Sequence, residues 1–282
     1  MRWVQVIACL FVVFGPTSGV NAAPLAGVER LQSPAWLIRD DVRVPLALGA
    51  ELRESDRIET GEKGQVTMRL GEDSLIKIGA EAEFNVLLID DGKDADGIFV
   101  AFFEVLKGAF RFTTTAVGNL RQRDIAVQMR TVTIGVRDTD VWGKSEDTRD
   151  FVVLLEGNVE LDREGETFRL EEPMSLFMAP HDASPDPIGP VNTDGLAVWT
   201  QETEPQAGTG VRKVGGKAVL HLLTYADEAS ARALRERLGE SGYSASITQL
   251  EVGGRSWYHV SQSQFETRAD AMAGREAIHR WA

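Results

Sequence analysis

From Trp36 to Met178 the sequence is a succession of short runs in which apolar and polar residues alternate, and this period of two constrains the fold more than any other feature. Val42-Arg43-Val44, Gln65-Val66-Thr67-Met68-Arg69-Leu70, Ser74-Leu75-Ile76-Lys77-Ile78 and Thr131-Val132-Thr133-Ile134 all follow it, while Phe151-Val152-Val153-Leu154-Leu155 is a solid apolar run rich in valine. Turn signals separate them at Gly61-Glu62-Lys63-Gly64, Gly71-Glu72-Asp73, Asp90-Asp91-Gly92, Gly157-Asn158 and Glu164-Gly165-Glu166. Strands divided by glycine and acidic turns, with no helical period, predict an all-β domain.

The first residues bear on the compartment. Arg2 precedes an apolar stretch from Trp3 to Phe14, then Gly15 and Pro16, then Val20-Asn21-Ala22. That order predicts a secretory signal peptide over 1–22 with cleavage after Ala22. The apolar stretch falls short of the roughly 20 residues a spanning helix needs, so the mature chain is expected to carry no transmembrane segment. The single cysteine, Cys9, lies inside this stretch, so the mature protein is expected to have no cysteine and to rely on its core alone.

The chain carries a net charge of -13. Arg2 makes the leader +1, and nine Lys/Arg against eight Asp/Glu make residues 213–282 +1, which leaves -15 on residues 23–212. So acidic a domain repels phosphate backbones, and nucleic acid is excluded as a partner.

Residues 179–215 change character. Ser184-Pro185-Asp186-Pro187, Gly189-Pro190 and the glycines 208, 210, 215 and 216 read as a linker, interrupted by Gly195-Leu196-Ala197-Val198-Trp199, a segment able to pack back onto the β domain. After it comes a small α+β unit over 216–282: strand 218–223, helix 227–238, strand 244–250, strand 256–261, helix 267–281. Asp227 and Thr267 suit N-caps, Asp270 stands three residues after Thr267, and Gly239 can stop the first helix. A shift of 40 residues aligns Leu220 with Val260, Tyr225 with Phe265, Asp227 with Thr267 and Ala231 with Ala271, so two strand-cap-helix copies are expected to place both helices on one face of a sheet.

Catalytic constellations are missing. The mature chain has no cysteine, its histidines 181, 221, 259 and 279 are scattered, and it has no Gly-x-Ser-x-Gly and no phosphate loop. The acidic loop from Asp90 to Gly97 brings Asp91, Asp94 and Asp96 together but lacks the closing Glu of an EF-hand, so it reads as a solvated hairpin loop. No catalytic residue, cofactor or metal site is predicted.

The runs Leu48-Gly49-Ala50-Glu51-Leu52, Asp56 to Gly61, Val66 to Gly79, Leu106-Lys107-Gly108-Ala109-Phe110, Gly135 to Val141 and Leu154 to Val159 resemble, in order and spacing, a FecR domain. The resemblance implies a twisted β-solenoid or roll over residues 23–178 that serves as a platform for another envelope protein. Where that family usually has Arg-Gly-Thr this chain has Arg137-Asp138-Thr139; glycine would suit a turn with positive φ, and Asp tolerates one better than most residues.

Val219 to Tyr225, Ala229 to Leu238 and Tyr258 to Phe265 are similar to a SPOR domain. That family implies binding of peptidoglycan glycan strands stripped of stem peptides, often at the division septum. On this resemblance the candidate glycan-binding residues are His221, Trp257, Tyr258, His259, Ser261 and Gln262. The family usually adds a last strand after the second helix, so an open sheet edge is expected unless the linker or a partner fills it. The expectation is a periplasmic, non-catalytic binding protein; the alternative is an assembly or signalling factor in which both domains bind proteins.

Overall fold

The computed structural model describes residues 25–71, 74–90, 92, 98–114 and 123–280. The leader and the aspartates 91, 94 and 96 of the acidic loop lie outside the described residues. In chain order the elements are β1 (Ala26–Gln32), β2 (Ala35–Arg39), β3 (Val42–Pro45), β4 (Arg57–Thr60), β5 (Gln65–Leu70), β6 (Ser74–Ile78), β7 (Glu83–Asp90), β8 (Phe99–Thr114), β9 (Arg123–Gln128), β10 (Thr133–Val136), β11 (Asp140–Ser145) and β12 (Arg149–Glu156). There follow β13 (Val159–Arg163), β14 (Glu166–Leu170), β15 (Ser175–Pro180), β16 (Gly189–Pro190), α1 (Thr193–Glu202), β17 (Val211–Lys213), β18 (Ala218–Tyr225), α2 (Glu228–Glu240), β19 (Ser246–Val252), β20 (Arg255–Phe265) and α3 (Arg268–His279).

The strands form two sheets. One runs β3-β2-β4-β7-β8-β9-β10-β13-β14. The other runs β16-β15-β12-β11-β8-β6-β5-β1-β17-β20. Neighbours are antiparallel except β8 with β9. The expected all-β domain and small α+β unit are present, and the described strands of the β domain lie in two largely antiparallel sheets that share β8.

β8 belongs to both sheets. Phe99, Ala101, Phe103 and Val105 are buried on its first half, and Phe110 and Phe112 on its second, so the buried phase moves from odd to even residues. The change falls at Gly108, with φ +93°. A Cβ there would sit 2.5 Å from the Cβ of Ala82, so glycine is required by both the backbone angle and the space. Phe84, Phe103, Phe110, Phe112 and Phe177 fill the single core between the sheets. Each contributes on the order of 1.5–3 kcal/mol of burial.

The stretch that reads as linker is structured over much of its length. On the outer face of the second sheet, Trp199 of α1 stacks on Trp142 of β11 with centroids 5.5 Å apart and planes 8° apart. Phe151, Leu176 and Leu196 pack around the pair. At the end of α1 Glu202 pairs with Lys144, and just beyond it Glu204 pairs with Lys77 and Arg111; Arg111 also makes a bidentate pair with Asp140. β17 then pairs with β1 on one side and meets β20 on the other. The sheet of the β domain thus continues into the C-terminal unit. The Arg30–Glu266 ion pair and the hydrogen bond from Trp36 Nε1 to Glu240 O reinforce the junction.

Candidate functional site

The C-terminal unit is a three-stranded sheet with β20 central between β18 and β19. The helices α2 and α3 cover one face, where Leu220, Leu222, Val260, Phe265, Ala231, Leu238 and Ala271 pack. Both helices are capped as the sequence suggests. Asp227 accepts from Ser230 N, and Thr267 with Asp270 forms a capping box. The Ser230 contacts hold the Asp227 carboxyl below its ordinary pKa. The first helix runs two residues further than expected, to Glu240, and Gly242 at φ +80° follows its end. Gly239 lies inside the helix, where it meets Pro45.

The other face of the sheet carries no helix. Alternation along β20 puts Trp257, His259 and Ser261 on it, and the β19 register adds Leu250, Thr248 and Ser246 opposite them. On β18 the pairs His221↔Ser261 and Thr224↔His259 bring His221 and Thr224 to the same face although they are three residues apart. A bulge between His221 and Leu223 makes this possible. His221 Nδ1 and His259 Nε2 are in hydrogen-bonding contact, and His259 Nδ1 lies 2.7 Å from Thr224 Oγ1. The face is therefore graded, with Leu250 and Trp257 at the hairpin tip, the His–His–Thr chain in the middle, and Ser246 and Ser261 at the base.

Two groups fix this unit against its approach segment. Asp270 is fully buried and accepts from the amides of Gly208, Gly210, Val211 and Thr267 and from the Thr267 hydroxyl. Arg212 of β17 is buried with its guanidinium on Ser263 O, Ser244 O and Ser244 Oγ, and burial pushes its pKa down to about 10.

Residues 215–280, which hold this sheet and its two helices, match the SPOR domain model, and residues 56–160, from β4 into β13, match the FecR protein model. The chain carries a FecR domain and a SPOR domain. No curated protein matches this chain. Two crystal structures, each of a protein from Parabacteroides distasonis assigned as an anti-sigma factor, are similar to it. The one at 2.50 Å resolution aligns with TM-score 0.42 and 15% identity over 66% of this chain and 74% of its own. The one at 1.65 Å aligns with TM-score 0.41 and 14% identity over 71% of this chain and 96% of its own.

Within the SPOR domain four of the six candidate residues share the helix-free face: His221, Trp257, His259 and Ser261. Ser261 is only 7% exposed there. Tyr258 points to the helix side, in the apolar cluster with Leu234 and Ile247. Gln262 is 2% exposed and its amide donates to Ser244 O, so it is not open to a ligand. Period two along β20 separates these two residues from Trp257, His259 and Ser261, a signal present in the sequence. Thr224 joins the face only through the bulge, which no sequence pattern announces. In the FecR domain, Asp138 stands at φ +48°, in the left-handed turn that glycine would suit. Among the described residues no helix is long and apolar enough to cross a membrane.

Proposed function

We propose that this protein works in the periplasm as a non-catalytic binding protein, exported by a signal peptide over residues 1–22. Its SPOR domain, residues 216–282, holds peptidoglycan glycan strands that lack stem peptides. Its acidic FecR domain, residues 23–178, engages another envelope protein, and residues 179–215 join the two. Enrichment at the division septum follows if denuded strands concentrate there. The observation that carries the reading is the helix-free SPOR face, where an apolar platform of Trp257 and Leu250 adjoins a row of polar side chains. A sugar ring offers both surfaces such a face needs: C–H groups for an aromatic plane and hydroxyls for hydrogen bonds.

Co-sedimentation of the purified protein with sacculi, untreated and treated with an amidase that removes stem peptides, tests this. The whole protein is used because Asp270 and β17 tie the SPOR domain to its approach segment. Enrichment on stripped glycan is expected, with Trp257→Ala lowering retention about tenfold, the equivalent of about 1.4 kcal/mol. Retention on neither preparation sinks the wall-binding half. A second reading, protein contact through both domains, would then take over. It is favoured by β18, whose strand pairing among the described residues is to β20 alone, leaving an edge on which a partner strand can add.

A further inference from the structure

The two histidines of the SPOR face meet head-on, and that contact sets how many protons they can hold together. His221 Nδ1 and His259 Nε2 face each other across neighbouring strands, with ring centroids 4.6 Å apart and planes inclined by 46°. One hydrogen sits between two such nitrogens, because a hydrogen on each would collide. Behind the pair, His259 Nδ1 lies 2.7 Å from Thr224 Oγ1. In front, the His221 ring is exposed, and its Nε2 has no partner among the described residues. One added proton therefore fits without any movement: His221 Nδ1–H donates to His259 Nε2, His259 Nδ1–H donates to Thr224, and His221 Nε2–H is free to donate to a ligand. A second would put hydrogens on both facing nitrogens and part the rings. The neighbours on this face, Ser246, Thr248 and Leu250 of β19 with Trp257 and Ser261 of β20, carry no charge. Charged groups stand at the ends of the strands: Arg255 and Asp227 beside Trp257, and Lys217 just before β18.

We propose that this pair, carrying one added proton, binds the carboxylate that loss of a stem peptide uncovers on the glycan. The assignment rests on the reading of this face as a glycan site and names the group recognised there. Hydrolysis of the amide that joins a stem peptide to its sugar leaves a carboxylate where a neutral amide stood, so a stripped strand differs from an intact one by a negative charge at that position. An anionic strand is repelled by a β domain of charge -15 and needs a local cation on the face that receives it. The protonated pair supplies the cation together with an N–H donor, and charge-assisted hydrogen bonds are roughly twice as strong as neutral ones. Alternate residues of a strand lie about 7 Å apart, so a sugar ring stacked on Trp257 has its substituents beside His259 and His221. Imidazole changes charge between about pH 5 and 8, and the preference for stripped strands should therefore depend on pH.

The test is retention of the whole protein on sacculi across this pH range, with three preparations: untreated, stripped by the amidase, and stripped with the freed carboxylates then converted to methylamides by carbodiimide and methylamine. Retention of the parent on stripped sacculi should rise about tenfold as pH falls from about 8 to about 6, and should not rise on the other two. His221→Gln and His259→Gln should each hold, at every pH, about the retention the parent shows at the alkaline end, while the exposed His279→Gln should keep the rise. The methylamide arm uses the parent protein alone, so it stands even if a histidine variant folds poorly. A rise that survives methylamidation, or that persists in both His221→Gln and His259→Gln, overturns the carboxylate assignment. Retention on stripped sacculi that is flat in pH overturns it too and leaves wall binding standing, whereas no retention on any preparation removes both.

Discussion

Asp270 performs two tasks with one carboxylate. Oδ2 closes the capping box of α3 with Thr267, and Oδ1 takes the amides of Gly208, Gly210 and Val211 at 2.8, 3.2 and 3.1 Å. Burial works to raise its pKa, but the hydrogen bonds from Thr267, Val211, Gly208 and Gly210 outweigh burial and hold the carboxyl below its ordinary value. A carboxylate lowered in the folded state adds stability above its unfolded pKa of about 3.9, and that stability is lost as pH falls through the folded value. Asp270→Asn, which presents an NH₂ to groups that are themselves donors, should cost about 2–4 kcal/mol at pH 7 by urea unfolding. The loss between pH 7 and pH 3 should be smaller for the variant than for the parent. The first task is legible in the sequence, because a cap and its third residue are local. The second is not, since it joins amides about 60 residues away that only the tertiary fold brings near. The same division runs through the candidate face: alternation in β20 sorts Trp257, His259 and Ser261 from Tyr258 and Gln262, whereas the place of Thr224 depends on a bulge.

Among the secondary-structure elements, α1 departs furthest from what its surroundings in sequence suggest. It sits in a stretch rich in proline and glycine, yet Leu196 and Trp199 anchor it over Trp142 and Phe151. The apolar segment 195–199 was visible as an interruption of linker chemistry; its target was not, because a second apolar face on the outer side of a sheet looks in sequence like any doubly buried strand. Trp199→Ala should destabilise the protein by about 2–3 kcal/mol and remove the near-ultraviolet dichroism of the stacked indoles, with the far-ultraviolet spectrum kept. β8 offers the complementary case. Its apolar residues are plain to read, but the move from one sheet to the other depends on the phase change at Gly108, which splits what the sequence presents as one long run.

Taken whole, the protein is two domains that share a sheet. β17 lies between β1 and β20, and its flanking amides also bond across, Val214 N to Glu29 O and Glu266 N to Val211 O. Calorimetry should therefore show one cooperative unfolding transition for the full chain. Arg212→Pro, which removes a strand donor and the buried guanidinium together, should resolve it into two. The distinct composition of the three sequence regions reveals the domains but not this coupling, because three residues of strand leave too short a pattern to read.

Ordinary tethers tolerate added or deleted residues, since their length sets only a reach. Here length is a register. One extra residue between Gly210 and Val214 would turn alternate side chains of β17 over, bringing Arg212 out of its serine-lined seat and offering Val211 to water. Natural variation in this protein should accordingly gather in the loops at 182–188 and leave the count between the Asp270-bound amides and β18 untouched.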